Sequence, residues 1–354
     1  MKKLLLLLPA LLVCSGCGLR AAHPPLEAIE AVETMGVDLQ DGTRVSVTTG
    51  GEDAERIGET GENLPLALDA LRGRSLHGGL FYGHTQYLLL GETYARAGVQ
   101  TLLDYTARSA ELRMATPVYL MRGEAADAVL AEELDVTAQL TALSRTGLPS
   151  ATVTELSDRL ARSGCALIGA VRIDPDAHAL APDGCAVLKD RRLIGFLDED
   201  GAQAAAWVTG ADGSSLALDT GTTFTLTQCA VRAEAKWSDG RPASLTLTVE
   251  AEATAQTLPA GTRITNASVR AALEARLAQT VAQRMADTVA RTQTLGADAL
   301  DLGGMLAGAH PVRWVGCAED WAALYPELPV TVRAAVRITG TQDLTDPLPE
   351  EERA

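Results

Sequence analysis

The residue with the clearest chemical potential in this chain is a cysteine near its start, Cys17. It directly follows two small residues, Ser15 and Gly16, and an apolar stretch, Leu4–Val13, that two lysines precede. A short apolar run behind a positive start and before small residues is typical of a secretory signal peptide, because small side chains let the backbone enter a peptidase. Cleavage before the cysteine would leave a thiol that a diacylglyceryl group can alkylate.

This segment resembles the lipobox of bacterial lipoproteins, with Cys14 at the position where leucine is usual. We therefore predict a lipoprotein signal peptide at 1–16, a lipid anchor with fatty acyl chains such as palmitate on Cys17, and a lipidated tether at 17–33. The apolar run is too short to span a bilayer, which takes about 20 residues. No later stretch is long and apolar enough, so we expect an extracytoplasmic, membrane-anchored chain. The alternative is an ordinary secretory signal with a chance cysteine.

Residues for catalysis or metal binding form no recognisable pattern. The five histidines, at positions 23, 77, 84, 178 and 310, stand in no HExxH or HxH spacing, and there is no GxSxG, P-loop or GxGxxG motif. A catalytic site needs a nucleophile, a base and an orienting group. We predict a protein that is not an enzyme and that has no metal site and no cofactor. Only His84 lies in an apolar run, where a structural histidine is the first interpretation.

Charge and cysteine content restrict the class of protein further. The net charge is −16 over 354 residues, and signal cleavage would remove two lysines and no acid. Binding to nucleic acid needs clustered Lys and Arg, so we exclude it as a partner. Export permits disulfides, but no CxxC spacing occurs. We favour buried thiols over disulfides for the four later cysteines, Cys165, Cys185, Cys229 and Cys317.

Apolar periodicity predicts the elements of an N-terminal α/β domain over 34–182. A hairpin at 36–49 turns at Asp41-Gly42, and an acidic, Gly-rich loop follows at 50–61. Buried strands are expected at 80–90, 114–121 and 165–171. Helices are expected at 64–71, 94–108, 125–143 and 152–162.

A Pro-rich and acid-rich stretch at 174–183 is the predicted domain boundary, followed by a C-terminal α/β domain over 183–342. We expect a hairpin over 184–197, a strand at 223–236 with a bulge near Gln228, and strands at 245–253 and 330–339. The longest helix is predicted at 268–293, and the tail at 343–354 is expected to be acidic and disordered. The fold class is α+β, with two or three domains of mainly antiparallel or mixed sheets packed with helices.

Most of the mature chain resembles the Ger(x)C family, the lipoprotein C subunit of bacterial spore germinant receptors. Four stretches carry the resemblance, and the second is the most specific. They are Gly36-Val37-Asp38 with Asp41-Gly42; Phe81 to Glu92 with Leu102 to Tyr105, Arg108 and Glu111 to Arg113; Gly184 to Lys189 with Leu193 to Leu197; and Asp298, Leu302, Gly303 and Trp314.

The resemblance implies a role in nutrient-induced spore germination. Such a subunit sits on the outer face of the spore's inner membrane and assembles with the two membrane subunits, A and B, of a germinant receptor. Germinant binding is generally assigned to the transporter-like membrane subunit, so the C subunit would act in assembly and signalling. Within the second stretch, His84, Arg108 and Arg113 are candidates either for partner contact or for buried structural roles.

Three alternatives remain open at the level of sequence. A solute-binding lipoprotein of a transporter would need two lobes around a ligand cleft, and the aromatic content of 4% weakly disfavours it. An anchored hydrolase would need a nucleophile–base pair, and a structural lipoprotein would need no receptor at all.

Overall fold

A computed structural model describes residues 29–50, 54–75, 79–210 and 213–341. The predicted signal peptide, Cys17, most of the tether and the acidic tail lie outside the described residues. Two β-sheets and the helices packed on them make up the described chain, one of ten strands and one of four. Both parallel and antiparallel pairs occur in each sheet, which confirms the α+β class with mixed sheets.

The larger sheet is built almost entirely from the first half of the chain. Its main path runs β10-β9-β8-β6-β5-β1-β2-β3, and β1, β5, β6 and β8 lie parallel to their neighbours in that group. Its strands are β1 (Ile29–Leu39), β2 (Thr43–Thr49), β3 (Arg56–Gly61), β4 (Gly79–Phe81), β5 (Tyr87–Gly91), β6 (Pro117–Met121), β7 (Ala151–Thr152), β8 (Cys165–Asp174), β9 (Ala179–Lys189) and β10 (Arg192–Leu197).

Both faces of this sheet are covered, which explains the unbroken apolar runs in its strands. Because side chains alternate along a strand, Leu88 and Leu90 enter one core while Tyr87 and Leu89 enter another on the opposite face. The covering helices are α1 (Leu64–Arg72), α2 (Glu92–Ala97), α3 (Gln100–Arg108), α4 (Ala125–Val129), α5 (Val136–Ser144) and α6 (Val153–Ser163).

The smaller sheet has the order β11-β12-β13-β14, with a long helix packed on one face. That helix buries Leu273, Leu277, Val281, Met285 and Val289, one residue in every four. The elements of this half are α7 (Glu199–Val208), β11 (Ser214–Asp219), β12 (Thr222–Ser238), β13 (Arg241–Thr257), α8 (Ala267–Thr294), α9 (Leu302–Ala309), α10 (Pro311–Trp314), α11 (Trp321–Leu324) and β14 (Val330–Thr341).

The two halves are joined through strands of the larger sheet. The predicted boundary stretch falls in the turn between β8 and β9, which pair with each other from Cys165↔Lys189 to Asp174↔Ala179. Side chains from these two strands, including Leu167 and Val187, also belong to the core beneath the smaller sheet. The boundary at 174–183 therefore crosses a continuous sheet, and the division into two domains stays a prediction.

Several predicted elements match the structure closely. The hairpin predicted at 36–49 is present, although its first strand begins earlier, at Ile29, and α1, α6 and α8 lie within a residue or two of their predicted bounds. Gln228 has a φ of 49°, and the β12–β13 register shifts between Thr227 and Ala230, which is the predicted bulge. On β14 the even-numbered residues face inward and the odd-numbered ones face solvent, as expected.

Other predictions were wrong in detail. The strand expected at 80–90 is interrupted by a 3₁₀ turn over Tyr82–His84, so His84 does not lie in a strand. The helix expected at 94–108 is divided at Gly98, whose φ of 135° no helix accommodates. The helix expected at 125–143 is two shorter ones, and the expected loop at 50–61 contains β3. Sequence patterning missed α7 and β11.

Candidate functional site

Two of the three predicted contact residues lie together beside the 3₁₀ turn. His84 is the last residue of that turn and is exposed. The Arg113 side chain is also exposed. Its Nη2 donates to the backbone carbonyl oxygen of Thr85, the residue after His84, at 3.2 Å. The Thr116 hydroxyl donates to the same oxygen at 3.2 Å. Hydrogen bonds from Arg113 and Thr116 thus fix the backbone at Thr85, while the Arg113 guanidinium and the His84 imidazole face solvent.

Arg108 lies apart from this pair, at the last position of α3. It lines a shallow depression of about 510 Å³ together with Pro65, Asp104 and Tyr105. The structure therefore does not bring Arg108 together with His84 and Arg113 in a single site. All three side chains are exposed, so none of them has the buried structural role that was the alternative to partner contact.

A polar network connects these two places across the surface. Glu111 accepts from Arg72 Nη2 at 2.6 Å and from the Tyr105 hydroxyl at 2.9 Å. The Arg72 guanidinium also lies 5.4 Å from the ring centroid of Tyr82, the first residue of the 3₁₀ turn. Burial raises the pKa of the Tyr105 hydroxyl, and the neighbouring Glu111 adds to that rise. The hydroxyl stays protonated and acts as a donor, so the network orients a surface and offers no general base.

The first stretch of the resemblance contains a buried carboxylate, Asp38. Its two oxygens accept the backbone amides of Ala125 at 2.7 Å and Ala126 at 2.8 Å, at the start of α4. Gly91, from the second stretch, lies against it, because a Cβ on Gly91 would stand 1.9 Å from Asp38 Oδ1. Burial raises the Asp38 pKa against the lowering effect of the two amides.

A second buried carboxylate, Asp298, stands in the fourth stretch. It accepts the backbone amides of Leu302 at 2.8 Å and Gly303 at 2.7 Å, and the Trp321 indole N–H at 2.8 Å. A Cβ on Gly303 would stand 2.6 Å from that indole nitrogen. Burial again raises the carboxyl pKa, opposed by the three donors. Asp298 is thus an anchoring residue for the turn into α9, with every donor supplied by the protein itself.

A charged cleft of about 760 Å³ lies where β10 meets α7 and α8. Four arginines line it, and each is already bonded within the protein. Arg96 pairs with Glu92 at 2.7 Å, Arg284 pairs with Asp200 at 3.0 Å, and Arg291 Nε donates to the Phe196 carbonyl at 3.3 Å. Arg122 pairs with Asp183 and lies 3.6 Å from the Phe196 ring centroid. This pairing gives no support to the solute-binding alternative.

The described residues also bear on metal, disulfide and membrane chemistry. Within 29–50, 54–75, 79–210 and 213–341, no group of three or more His, Cys, Asp or Glu is placed to hold a metal ion. In the same ranges no disulfide joins the four cysteines, which are all buried. Burial raises the pKa of the Cys165 thiol to about 11, which keeps it unreactive at neutral pH. None of the helices described there is long and apolar enough to cross a bilayer.

Comparisons with known proteins place the chain in a family. Residues 23–173 match the family model described as "Spore germination protein N-terminal domain", and residues 183–342 match "Spore germination B3/ GerAC like, C-terminal". These matches cover most of the sequence, and the chain belongs to this spore germination family. The resemblance seen in the sequence is thereby confirmed.

A solved structure has a similar fold. It is described as "Crystal Structure of the GerBC protein", and it aligns with 86% of this chain and 97% of its own length, at a TM-score of 0.59 and 17% identity. No curated protein matches the chain in sequence.

Sequence patterns did not reveal the roles of the two buried aspartates and their glycines. All four residues stand in the stretches that resemble the family, but their spacing along the chain gave no sign of contact. Asp38 and Ala125 are 87 residues apart.

Proposed function

We propose that this chain is the lipid-anchored C subunit of a nutrient germinant receptor, acting in receptor assembly and signalling during spore germination. The observation that carries the proposal is the match of both family models over nearly the whole mature chain. The similar fold of the GerBC protein supports it. The expected partners are the membrane subunits A and B of the receptor and the lipid membrane itself, through Cys17.

The geometry favours a protein that works through contacts. The two most strongly buried carboxylates have their oxygens bonded to backbone amides and an indole. A general acid or base needs to reach the proton it transfers, and these two groups face the protein interior. By contrast His84, Arg108 and Arg113 face solvent on an ordered surface, which suits recognition of another subunit.

The anchor is tested at Cys17. In sporulating cells that carry Cys17→Ala, we expect no incorporation of a fatty-acid analogue and recovery of the protein in the soluble fraction. Cys317→Ala is the matched control, because Cys317 lies outside the lipobox and its loss should not affect labelling. Equal labelling of the Cys17→Ala protein and the wild type would overturn the anchor.

The receptor role is tested by deletion of the gene. We expect impaired germination with particular nutrients and unchanged vegetative growth, and crosslinking followed by mass spectrometry should recover membrane subunits. Normal germination with every nutrient tested, together with no crosslinked membrane partner, would contradict the assignment.

The contact surface is tested by Arg113→Ala. The side chain is exposed and makes one hydrogen bond to the backbone, so the variant should fold and reach the membrane. We expect it to lower crosslinking to the membrane subunits and to slow germination. Arg333→Ala is the matched control, since Arg333 is an exposed arginine on the outer face of β14. An Arg113→Ala protein that germinates like the Arg333→Ala protein would rule out Arg113 as a contact.

A further inference from the structure

The most exposed large apolar side chains in the described residues lie on the short helix α10 and just after it. Val312 is 89% exposed and Val315 is 78% exposed. Exposed apolar groups that lie close together mark interaction surfaces more often than isolated ones do. We call Pro311 to Val315 together with Trp237 the α10 patch.

The α10 patch is held firmly by what lies beneath it. The Trp314 ring packs over Gly303, where an added Cβ would stand 2.7 Å from the ring, and it meets the Trp321 ring edge-on at 5.3 Å between centroids. On the other side the Arg313 guanidinium lies 5.6 Å from the centroid of the Trp237 ring. Two valines and an arginine are thus presented to solvent, and the half-buried rings of Trp237 and Trp314 lie beneath and beside them.

Contacts place this patch near one edge of the larger sheet. Trp321 donates to Asp298, and Asp298 lies beside the thiol of Cys165, the first residue of β8. Nearby, Lys189 Nζ donates to the Gly296 carbonyl oxygen at 2.7 Å. The patch is therefore connected, through Trp321 and Asp298, to the edge at which β8 begins.

The chain enters the described fold at the same edge. β1 begins at Ile29 and runs parallel to β5, β5 to β6, and β6 to β8, so all four strands begin on one side of the sheet. Three strand spacings of about 4.8 Å separate β1 from β8, or roughly 14 Å. Residues 17–28 can span at most about 40 Å. An anchor on Cys17 would hold this edge near a bilayer.

A third exposed apolar side chain stands on this side of the molecule. Phe81 is 52% exposed and belongs to β4, which pairs in parallel with the first three residues of β1. Phe81 and the α10 patch belong to different halves of the chain. Leu39 and Leu66 are exposed at the opposite edge, but at 38% and 47% they are less exposed than these three groups. Apolar groups from two halves of the chain suit a broad, flat apolar surface better than a compact ligand.

We propose that the α10 patch is a second membrane contact, which inserts its two valines into the interface of the bilayer that Cys17 anchors. The inference rests on the proposed anchor, and it adds an orientation, with the edge where β1 and β8 begin facing the lipid. The half-buried rings of Trp237 and Trp314 lie next to the valines and would report their approach to the lipid. The acidic charge of the chain, −16, disfavours attraction to anionic lipid, so apolar insertion must supply the contact.

The test uses the mature chain coupled through Cys17 to a maleimide lipid in vesicles of phosphatidylglycerol and phosphatidylethanolamine. Coupling favours Cys17 because the other four cysteines are buried. We expect brominated phosphatidylcholine in these vesicles to quench tryptophan fluorescence, since Trp237 and Trp314 lie in the patch. The Val312→Asp/Val315→Asp double variant should lose most of that quenching while it stays coupled.

Leu39→Asp is the matched control and should retain the quenching. Leu39 is 38% exposed at the far end of β1, roughly 33 Å from Ile29 at about 3.3 Å per residue. Thermal unfolding of each variant checks the fold, and a Val312→Ser/Val315→Ser protein replaces the aspartates if they unfold the chain. No quenching of the coupled wild type, or equal quenching of the double variant, would overturn the proposal.

Two further outcomes distinguish membrane contact by the patch from a contact between copies of the chain and from the lipid anchor itself. If the wild type is not quenched and sedimentation shows a dimer that the double variant lacks, the patch is a contact between copies and the bilayer is excluded. Because the coupling is chemical, absence of lipid on Cys17 in cells would refute the anchor without deciding the vesicle result.

Discussion

Asp38 and Asp298 occupy corresponding positions in the two halves of the molecule. Each is buried, at 2% and 6% exposed, and each accepts two consecutive backbone amides that open a helix. Each also has a glycine nearby with no room for a Cβ, which on Gly91 would meet Asp38 itself and on Gly303 would meet the indole bonded to Asp298. The difference lies in what the carboxylate joins. Asp38 connects β1 to a helix 87 residues later, whereas Asp298 binds the turn that follows it directly and adds the Trp321 indole.

This difference separates two ways in which a buried carboxylate stabilises a fold. A long-range cap fixes the packing of elements that would otherwise be independent, and its loss should loosen α4 on the sheet. A local cap fixes one turn, and its loss should disturb only what packs on that turn. For Asp298 that includes Trp321 and Trp314, which support the α10 patch.

The largest effect is expected for Asp298→Ala. Three buried donors would lose their acceptor, at about 1–3 kcal/mol for each unsatisfied group and less than additively. We expect the free energy of unfolding to fall by about 3–5 kcal/mol in urea denaturation. Quenching by brominated lipid should fall as well, if the turn supports the patch. A loss below 1 kcal/mol would show that water replaces the carboxylate.

A smaller effect is expected for Asp38→Ala. Two amides would lose their acceptor, which costs about 2–4 kcal/mol. Because the lost bonds join distant elements, hydrogen exchange should quicken across α4 and the facing part of β1 while the smaller sheet keeps its protection. Exchange that quickens equally in both sheets would contradict the distinction between the two caps.

The two glycines allow a steric version of the same comparison. Gly91→Ala would place a Cβ 1.9 Å from Asp38 Oδ1, and Gly303→Ala would place one 2.6 Å from the Trp321 indole nitrogen. Overpacking of this kind costs about 1–3 kcal/mol, and we expect the closer contact at Gly91 to cost more. Gly79→Ala is the control, because a Cβ there meets no atom within 4 Å. Equal thermal stability of all three variants would show that the carboxylate and the indole move aside freely.

The sequence predicts this fold best where one face of an element is buried. The alternation on β14 and the four-residue stripe on α8 predicted both elements because only one side of each is apolar. Patterning failed where both faces are buried or where the element is short. The run over 80–90 contains Gly83-His84-Thr85-Gln86, which are not apolar, but the apolar residues on both sides of them favoured a single strand and concealed the turn at Tyr82–His84.

The candidate site was predictable only in part. The 81–113 segment could be singled out from its resemblance to the family, but whether His84, Arg108 and Arg113 lie together depends on packing that no local pattern encodes. The α10 patch depends on contacts between α9, α10 and the tip of the β12–β13 hairpin, which lie far apart in sequence. Exposure of two valines is a property of the folded molecule and not of their spacing.

The smallest expected effect is a dependence of stability on pH. Burial raises the pKa of Asp298 in the folded state, whereas an unfolded aspartate titrates near about 3.9. Between these values the native state binds more protons than the unfolded chain, so the contribution of this group to stability falls as pH rises. Relative to Asp298→Asn, which has the same shape and does not titrate, the wild type should gain stability as the pH falls toward about 4, by less than about 1.4 kcal/mol for each unit. Urea denaturation of both proteins over the acidic range down to about pH 4 measures the difference.

Other carboxyls, such as Asp219, whose pKa is lowered by hydrogen bonds from Thr222 and Arg276, are common to both proteins, so their contributions cancel. The opposite sign would show that the three donors outweigh burial and hold the Asp298 pKa below its ordinary value, so that the cap is a stabilised carboxylate at every pH at which the protein folds.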